Sequence, residues 1–454
     1  MRRHGGGEAR WPRYVAPSLL LVYVALAAVA AFTKAGDFAG YLSVGDAVLD
    51  STDAYANPKL NTWPPFFSLL AVPLAAGARV WLEGTRLLWN LGTVALWWWS
   101  IRELANAVYG RRVPMATAAV LLPALFTTRL LIENLDAVQI NVYILAACLL
   151  AVRWWRRSRD GWAGAALGLT VSVKVFPVFL SGFFLLRGQW RLALWTVATC
   201  LACAGVPFLA FGADTAVAYY ATWAHQAFGT AVDPTHMNQS LLATLTRFLS
   251  AADAGDASRP LGAGYFVNAA TLPAEAVKQL CYGAVAVLGA GVLYGFTGGS
   301  TGFGESPERA ASQRGASRGE GLPSGELQRG RRLSEWLEIA LVFGLCALVS
   351  PLVWKHYGVF WLPGLFVAYP FLYASPLSRG GPLLAGRADL RPLRFVYHLG
   401  WGLMTFASEL FVGRYFSDVL EAYGVMAVGG LLLTVLLVYL RLRAANVYLA
   451  VAND

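Results

Sequence analysis

Long apolar runs separated by short polar segments dominate the chain. The first run, APSLLLVYVALAAVAAF, follows a basic leader, MRRHGGGEARWPRY. Several runs exceed the ~18 apolar residues that are typical of a membrane span. At about 17 residues, the first run is long for the core of a signal peptide, so we expect a retained first helix. The pattern predicts twelve spans, at 14–32, 86–105, 114–130, 138–152, 162–174, 175–187, 191–211, 276–296, 335–353, 356–374, 395–412 and 423–441.

Arginine clusters lie between these runs and indicate their orientation. Cytoplasmic loops of membrane proteins carry an excess of Lys and Arg. Placing every cluster inside also puts both termini in the cytoplasm. The net charge of +10 is then loop charge, not a nucleic-acid surface. Only 14% of the residues are charged, against about 25% in soluble proteins. The chain is therefore predicted to be an all-α polytopic membrane protein, with 1–454 as a single integral-membrane domain.

Three stretches need separate treatment. The segment 63–82 cannot span without inverting every later loop, and Pro64, Pro65 and Pro73 are expected to break its helix. We predict that it lies on the outer surface or re-enters the membrane. The segment 212–275 is predicted to be a long outer-face loop, and the polar, Gly-rich segment 297–334 a flexible cytoplasmic loop.

Polar and ionisable residues collect on the predicted outer face. Such groups are costly at membrane depth, so they indicate function. Each also has a structural interpretation: the carboxylate can cap a helix, the lysines can extend to the interface, the histidine can pack, and the amides can join helices. The five cysteines lie in apolar runs and suggest neither a zinc site nor disulfides. The outer-face residues are Asp37, Tyr41, Gln139, Asn141, Lys174, Asn238, Lys355 and His356.

One acid and several cations at the level of lipid headgroups suit sugar transfer from a lipid phosphate. A carboxylate can take a proton from an attacking hydroxyl. Lys and His can neutralise a phosphate leaving group. A lipid or sugar transporter, such as a flippase, is the main alternative, because broken spans and buried charges also fit transport. A structural membrane subunit is a third.

Several motifs, in order, resemble glycosyltransferase family 87, the polyprenyl-phosphate-mannose-dependent mannosyltransferases of the GT-C superfamily. The chain has an acidic residue after span one (GDFAGYLSVGDAVL), then a tyrosine and a proline pair (AYANPKLNTWPPFF). An amide pair opens a span in VQINVYILAACLL, and a lysine precedes a proline in VSVKVFPVF. MNQSLLATL and SPLVWKHYGVF complete the set, which runs from about residue 36 to 365.

The resemblance implies a GT-C-type fold, with juxtamembrane helices and an active site on the outer face of a bacterial plasma membrane. It implies Asp37 as general base and His356 near the donor phosphate. It implies inverting transfer of a hexose, with mannose the expected sugar, from a polyprenyl phosphate to a lipid or glycan hydroxyl. No cofactor or metal is expected. Tyr41, Gln139, Asn141, Lys174, Asn238 and Lys355 are the substrate-binding candidates. The chain departs from the family pattern at Val138, before Gln139, and at Tyr357, after His356.

Overall fold

Every regular element in the described part of the chain is a helix. The structure, a computed structural model, describes residues 14–56, 61–110, 112–228, 232–297, 324–373, 383 and 389–453. The first five helices are α1 (Val15–Thr33), α2 (Phe38–Leu49), α3 (Pro65–Tyr109), α4 (Ala118–Phe126) and α5 (Thr128–Asp136).

The central helices pack against this first group. They are α6 (Asn141–Arg156), α7 (Asp160–Val173), α8 (Val178–Leu186), α9 (Trp190–Phe211), α10 (Ala213–Phe228), α11 (Leu241–Leu249) and α12 (Ala274–Thr297). The segment predicted as a long outer-face loop thus contains α10 and α11. The predicted cytoplasmic loop falls mainly on 298–323, outside the described residues.

The last group surrounds a short 3-10 helix, Lys355–Trp361, and completes the bundle. It consists of α13 (Ser324–Val349), α14 (Leu362–Leu372), α15 (Leu390–Phe406), α16 (Glu409–Val412), α17 (Arg414–Ala422) and α18 (Val425–Asn453). One large apolar core joins the three groups, and α14 is buried along its whole length.

The prediction that three prolines break the helix of segment 63–82 is wrong. Pro64 and Pro65 stand at the start of α3, where the missing proline N–H costs nothing. Pro73 lies inside the helix, and the backbone instead leaves helical geometry at Trp81, with φ −157° and ψ 99°. α3 therefore consists of two helical arms joined at Trp81. The placement of the first arm on the outer surface stays a prediction.

The sequence pattern predicted that the polar segment 133–141 opens the span at 138–152, but the structure divides this segment between two helices. Glu133, Asn134 and Asp136 end α5, and α6 begins only at Asn141. Between them Val138 adopts a left-handed conformation, with φ +48°, which no helix continues through. α5 is also bent by 44° from α4. This turn between α5 and α6 places its side chains beside the start of α2.

Within the described residues, five helices are long and apolar enough to cross a membrane, or six if the bent pair α4–α5 is one span. They are α1, α3, α9, Ala274–Tyr294 of α12 and Val425–Ala444 of α18. Several of the other predicted spans correspond to helices shorter than the ~20 residues that cross a bilayer, such as the 14-residue α7 and the 9-residue α8. The span predicted at 335–353 lies on the 26-residue α13. The number twelve stays a prediction.

Five charged residues form a buried group, here called the arginine–glutamate cluster, where α6, α8, α13 and α18 meet. Arg441 donates to Glu338 Oε1 through Nε and Nη2, at 2.8 and 2.7 Å. Arg187 also pairs with Glu338, and Arg156 Nε lies 3.2 Å from Glu335 Oε1. Each charge faces an opposite charge, so the cluster ties four helices together.

Candidate active site

Asp37 is held at a point where two backbone segments meet. Its N–H donates to the carbonyl oxygen of Ala137, at 2.9 Å. The preceding residue, Gly36, has φ +50°, and a Cβ there would lie only 2.2 Å from the same oxygen. Only glycine allows this approach, because any side chain would force the segments apart. The main chain therefore positions Asp37 before its side chain makes any contact.

Gln139 links Asp37 to the turn after α5. Its Nε2 donates a hydrogen bond to Asp37 Oδ2. Its Oε1 accepts from the Tyr41 hydroxyl at 3.3 Å, and that hydroxyl in turn accepts the Ile140 N–H at 3.2 Å. Tyr41 and Gln139 are almost fully buried. The carboxylate is thus oriented by a neutral amide whose own position is fixed.

Lys174 lies in the connection between α7 and α8. Its Nζ donates to Asn141 Oδ1 at 2.7 Å and lies 4.5 Å from the centre of the Tyr357 ring. Both contacts are with uncharged groups. The ammonium is close enough to Asp37 to act on its titration, as described below.

His356 belongs to the 3-10 helix after α13. Its ring lies between those of Trp354 and Tyr357, with centroid distances of 6.1 and 5.4 Å. Its backbone carbonyl accepts from Asn134 Nδ2 at 2.7 Å, which fixes the 3-10 helix against α5. His356 is 5% exposed.

A cavity of about 280 Å³ brings Asp37, Lys355 and His356 together. Charged groups of both signs surround it. Besides these three residues its charged lining consists of Lys34, Arg129, Glu133, Asp136, Arg259, Glu409, Arg414 and Glu421. Lys174 and Gln139 do not line the cavity. Gln139 contacts the lining residue Asp37 directly.

Burial and nearby groups act in opposite directions on Asp37. Burial raises the pKa of its carboxyl above the ordinary value, because it disfavours the charged form. The Lys174 charge and the Gln139 hydrogen bond lower it, but by less than burial raises it. The net result is a carboxyl with a raised pKa beside a polar cavity.

Two predicted site residues have other partners. Lys355 Nζ lies 2.5 Å from Glu421 Oε1 and 3.3 Å from Ser417 Oγ, so its charge is already paired. Asn238 makes only internal bonds in the described structure. Its Nδ2 donates to the carbonyls of Asp233 and Pro351, both at 2.9 Å, and its Oδ1 accepts from Val353 N and Ser240 N. Asn238 holds the segment before Lys355 in place.

A larger cavity, of about 600 Å³, lies elsewhere, at the turns before α7 and α9. Arg159, Trp162, Arg191 and Trp195 are among its lining residues. None of the predicted site residues lines it, although a carboxylate, Asp160, lines it together with the two arginines.

The model of glycosyltransferase family 87 matches residues 61–300, more than half of the 454-residue chain. The chain belongs to glycosyltransferase family 87. No curated protein matches it. A family 87 protein is a membrane glycosyltransferase, which acts on a sugar donor and an acceptor. The matched segment includes Gln139, Asn141, Lys174 and Asn238, whereas Asp37 precedes it and His356 follows it.

This family 87 enzyme also places residues in the cavity that sequence reasoning missed. Arg129 is 9% exposed; its Nη2 pairs with Glu133 at 2.5 Å and its Nε donates to Ser408 at 2.9 Å. Its Nη1 makes no hydrogen bond. Arg129 is the only charged residue in the predicted span 114–130, which was a usable signal because such charges are costly. Glu421 gave no comparable signal, since its partner Lys355 is distant in sequence.

Proposed function

We propose that this enzyme transfers a hexose, mannose, from a polyprenyl phosphate to a hydroxyl of a lipid or glycan acceptor, with inversion. The reaction would take place in the 280 Å³ cavity, on the outer face of a bacterial plasma membrane. The single observation that carries the proposal is the position of Asp37. It is a carboxylate oriented by a neutral amide, and it lines a cavity that also contains cations.

In this mechanism the acceptor oxygen attacks the anomeric carbon, and the bond from that carbon to the phosphate oxygen breaks. The phosphate departs with the bonding pair, and Asp37 takes the hydroxyl proton. A general base works best when its pKa lies near the working pH. The raised pKa of Asp37 moves it in that direction, while the Lys174 charge lowers the pKa and so favours the ionised carboxylate.

The cationic side chains and the imidazole of His356 divide between two tasks. Lys174 does not line the cavity, so we assign it to holding Asp37 ionised. Lys355 and His356 line the cavity and are assigned to the donor phosphate. Arg129 joins them, because its Nη1 N–H has no acceptor among the described residues and guanidinium groups bind phosphate oxygens well.

The size of the cavity also bears on the donor. Small-molecule pockets begin at about 300 Å³. A space of about 280 Å³ suits a sugar and its phosphate, but not a polyprenyl chain. The chain would lie outside, along exposed apolar helix surfaces.

The test uses the purified full-length protein in detergent, with radiolabelled polyprenyl-phosphate mannose and a membrane lipid extract as acceptor. Wild type is compared with Asp37→Asn, which keeps an oxygen for the Gln139 hydrogen bond. The matched control is Asp46→Asn, on the exposed side of α2, where the carboxylate pairs only with Arg79.

We expect wild type and Asp46→Asn to form labelled product. Asp37→Asn should lose about 10²–10⁴-fold in rate, the contribution of one general base. Equal transfer by all three proteins would exclude Asp37 as the base. Untouched label in all three, with other lipid-phosphate sugars also tried, would contradict the proposed donor and favour transport.

A further inference from the structure

Three potential metal ligands lie together behind Lys355. His236 comes from the segment before α11, and Asp418 and Glu421 come from α17. Each is at most 1% exposed. One ligand atom from each lies within 4.8 Å of the ligand atoms of the other two. Imidazole nitrogen and carboxylate oxygen atoms are both zinc ligands in proteins.

The imidazole of His236 is oriented for coordination. Its Nδ1 lies 3.0 Å from the Ala254 carbonyl oxygen. Because a carbonyl can only accept, Nδ1 carries the hydrogen and, in the neutral ring, Nε2 carries the lone pair. Metal-binding histidines are held in this way, with the second nitrogen donating to a carbonyl or carboxylate. Nε2 is fully buried, and neither it nor Asp418 Oδ2 makes a hydrogen bond to any described residue.

The distance between ligand atoms distinguishes a shared metal from a direct ion pair. His236 Nε2 lies 3.4 Å from Asp418 Oδ1. A charge-assisted N–H···O bond would be about 2.7–2.9 Å. Two atoms that are each about 2.0–2.1 Å from a zinc ion, at a tetrahedral angle, lie roughly 3.3 Å apart. The observed separation agrees with the second arrangement.

The neighbouring arginine does not compete for these carboxylates. Arg247 is fully buried, and its Nε donates to the Ala422 carbonyl at 2.9 Å, its Nη2 to the Glu421 carbonyl at 3.2 Å. Its other hydrogen bonds go to the carbonyls of Pro234, Thr235 and Asn238 and to Thr244 Oγ1, so none is made to a carboxylate of the three ligands. Glu421 Oε1 accepts from Lys355 and from Ser417, and Glu421 also lines the cavity.

We propose that His236, Asp418 and Glu421 bind a zinc ion. The ion fixes α17 to the segment that contains His236 and Asn238. It thereby fixes the Glu421 carboxylate that holds Lys355, so the ion acts on the cavity wall through a positioning contact. The site does not depend on the donor or acceptor proposed above.

The test measures metal content directly. The full-length protein is purified in detergent with a tag free of histidine, dialysed against zinc, washed with a weak chelator and analysed by elemental mass spectrometry. The variants are His236→Asn and Asp418→Asn, and the control is His225→Ala, which removes an exposed histidine of α10. We expect about one zinc per chain in wild type and control, and a loss of at least about tenfold in both variants.

Zinc well below one per chain in wild type, or equal zinc in wild type and the two variants, overturns the proposal. X-ray absorption at the zinc edge of the wild-type protein covers the case in which a variant fails to fold. Nitrogen and oxygen neighbours at about 2.0–2.1 Å, with the scattering pattern of one imidazole, support the site. Sulfur neighbours at about 2.3 Å would place the ion on cysteines and overturn it.

Discussion

Buried charges at the two ends of α6 are held in opposite ways. At its C-terminal end, the arginine–glutamate cluster pairs Arg156 with Glu335, and Glu338 with Arg441. At its N-terminal end, Lys174 bonds the Asn141 amide, and Asp37 is bonded by the Gln139 amide. The ends are about four helical turns apart.

The difference indicates which charges are neutralised within the protein and which can still act on other groups. A charge paired with an opposite charge is neutralised inside the protein, and its removal leaves the partner unpaired at high cost. A charge that is held by neutral dipoles is not cancelled by an opposite charge, so its electric field still acts on other groups. The first arrangement joins helices, and the second suits binding or chemistry. Lys355 is intermediate, because it lines the cavity and yet pairs with Glu421.

Among the variants that test this comparison, Glu338→Gln is expected to have the largest effect, a loss of stability. It leaves Arg441 and Arg187 without the carboxylate that both contact, and breaking a buried pair costs about 3–5 kcal/mol. The unfolding temperature in detergent, followed by size-exclusion chromatography after heating, should fall clearly. The control is Glu83→Gln, whose exposed pair with Arg86 at 3.8 Å should contribute only about 0–1 kcal/mol. Equal decreases in the two variants would remove the distinction.

The second largest effect is expected for Lys174→Gln, which should reduce activity and leave stability unchanged. Because its partners are neutral, the unfolding temperature should stay near that of wild type. Transfer should nevertheless fall, on the order of 10²-fold, as when one preorganised electrostatic contact is lost. Lys278→Gln, an exposed lysine on α12, serves as the matched control. A protein that loses stability but keeps its rate would show that Lys174 has a structural role.

The smallest effect is a shift in pH dependence. If Asp37 must be ionised to act, kcat/KM falls as the pH decreases through its pKa. The Lys174 charge lowers that pKa, so Lys174→Gln should raise it and move the acidic limb to higher pH. Gln139→Leu should shift the limb in the same direction, because it removes a hydrogen bond to the charged form. A limb that stays in place or moves to lower pH in both variants would contradict the assignment of the base.

Apolar periodicity and the ends of apolar runs carried much of the prediction. Asp37 and Lys174 stood out because each follows an apolar run at a point where a charge is costly. The helices α1, α9 and α12 begin and end within a few residues of the predicted spans. These features are local, so a single sequence contains them.

What the sequence could not supply depends on contacts between distant segments or on backbone geometry. The pairing of Lys355 with Glu421 and the bonds of Asn238 to Pro351 join residues far apart in the chain. The break at Trp81 and the left-handed Val138 occur at residues with no tendency to break a helix as prolines do. Packing imposes these conformations, and the composition of the segment does not reveal them.

The main-chain contact between Gly36 and Ala137 divides the cavity into a constant wall and an adaptable one. The constant wall is backbone against backbone, so its shape depends on Gly36, where any added side chain would push the two segments apart. The opposite wall carries Arg259, Glu409 and Arg414, whose partly exposed ion pairs are 3.4 and 3.5 Å long. Substitutions of Arg259, Glu409 or Arg414 can therefore change the charge of the second wall and leave the main-chain contact at Ala137 in place.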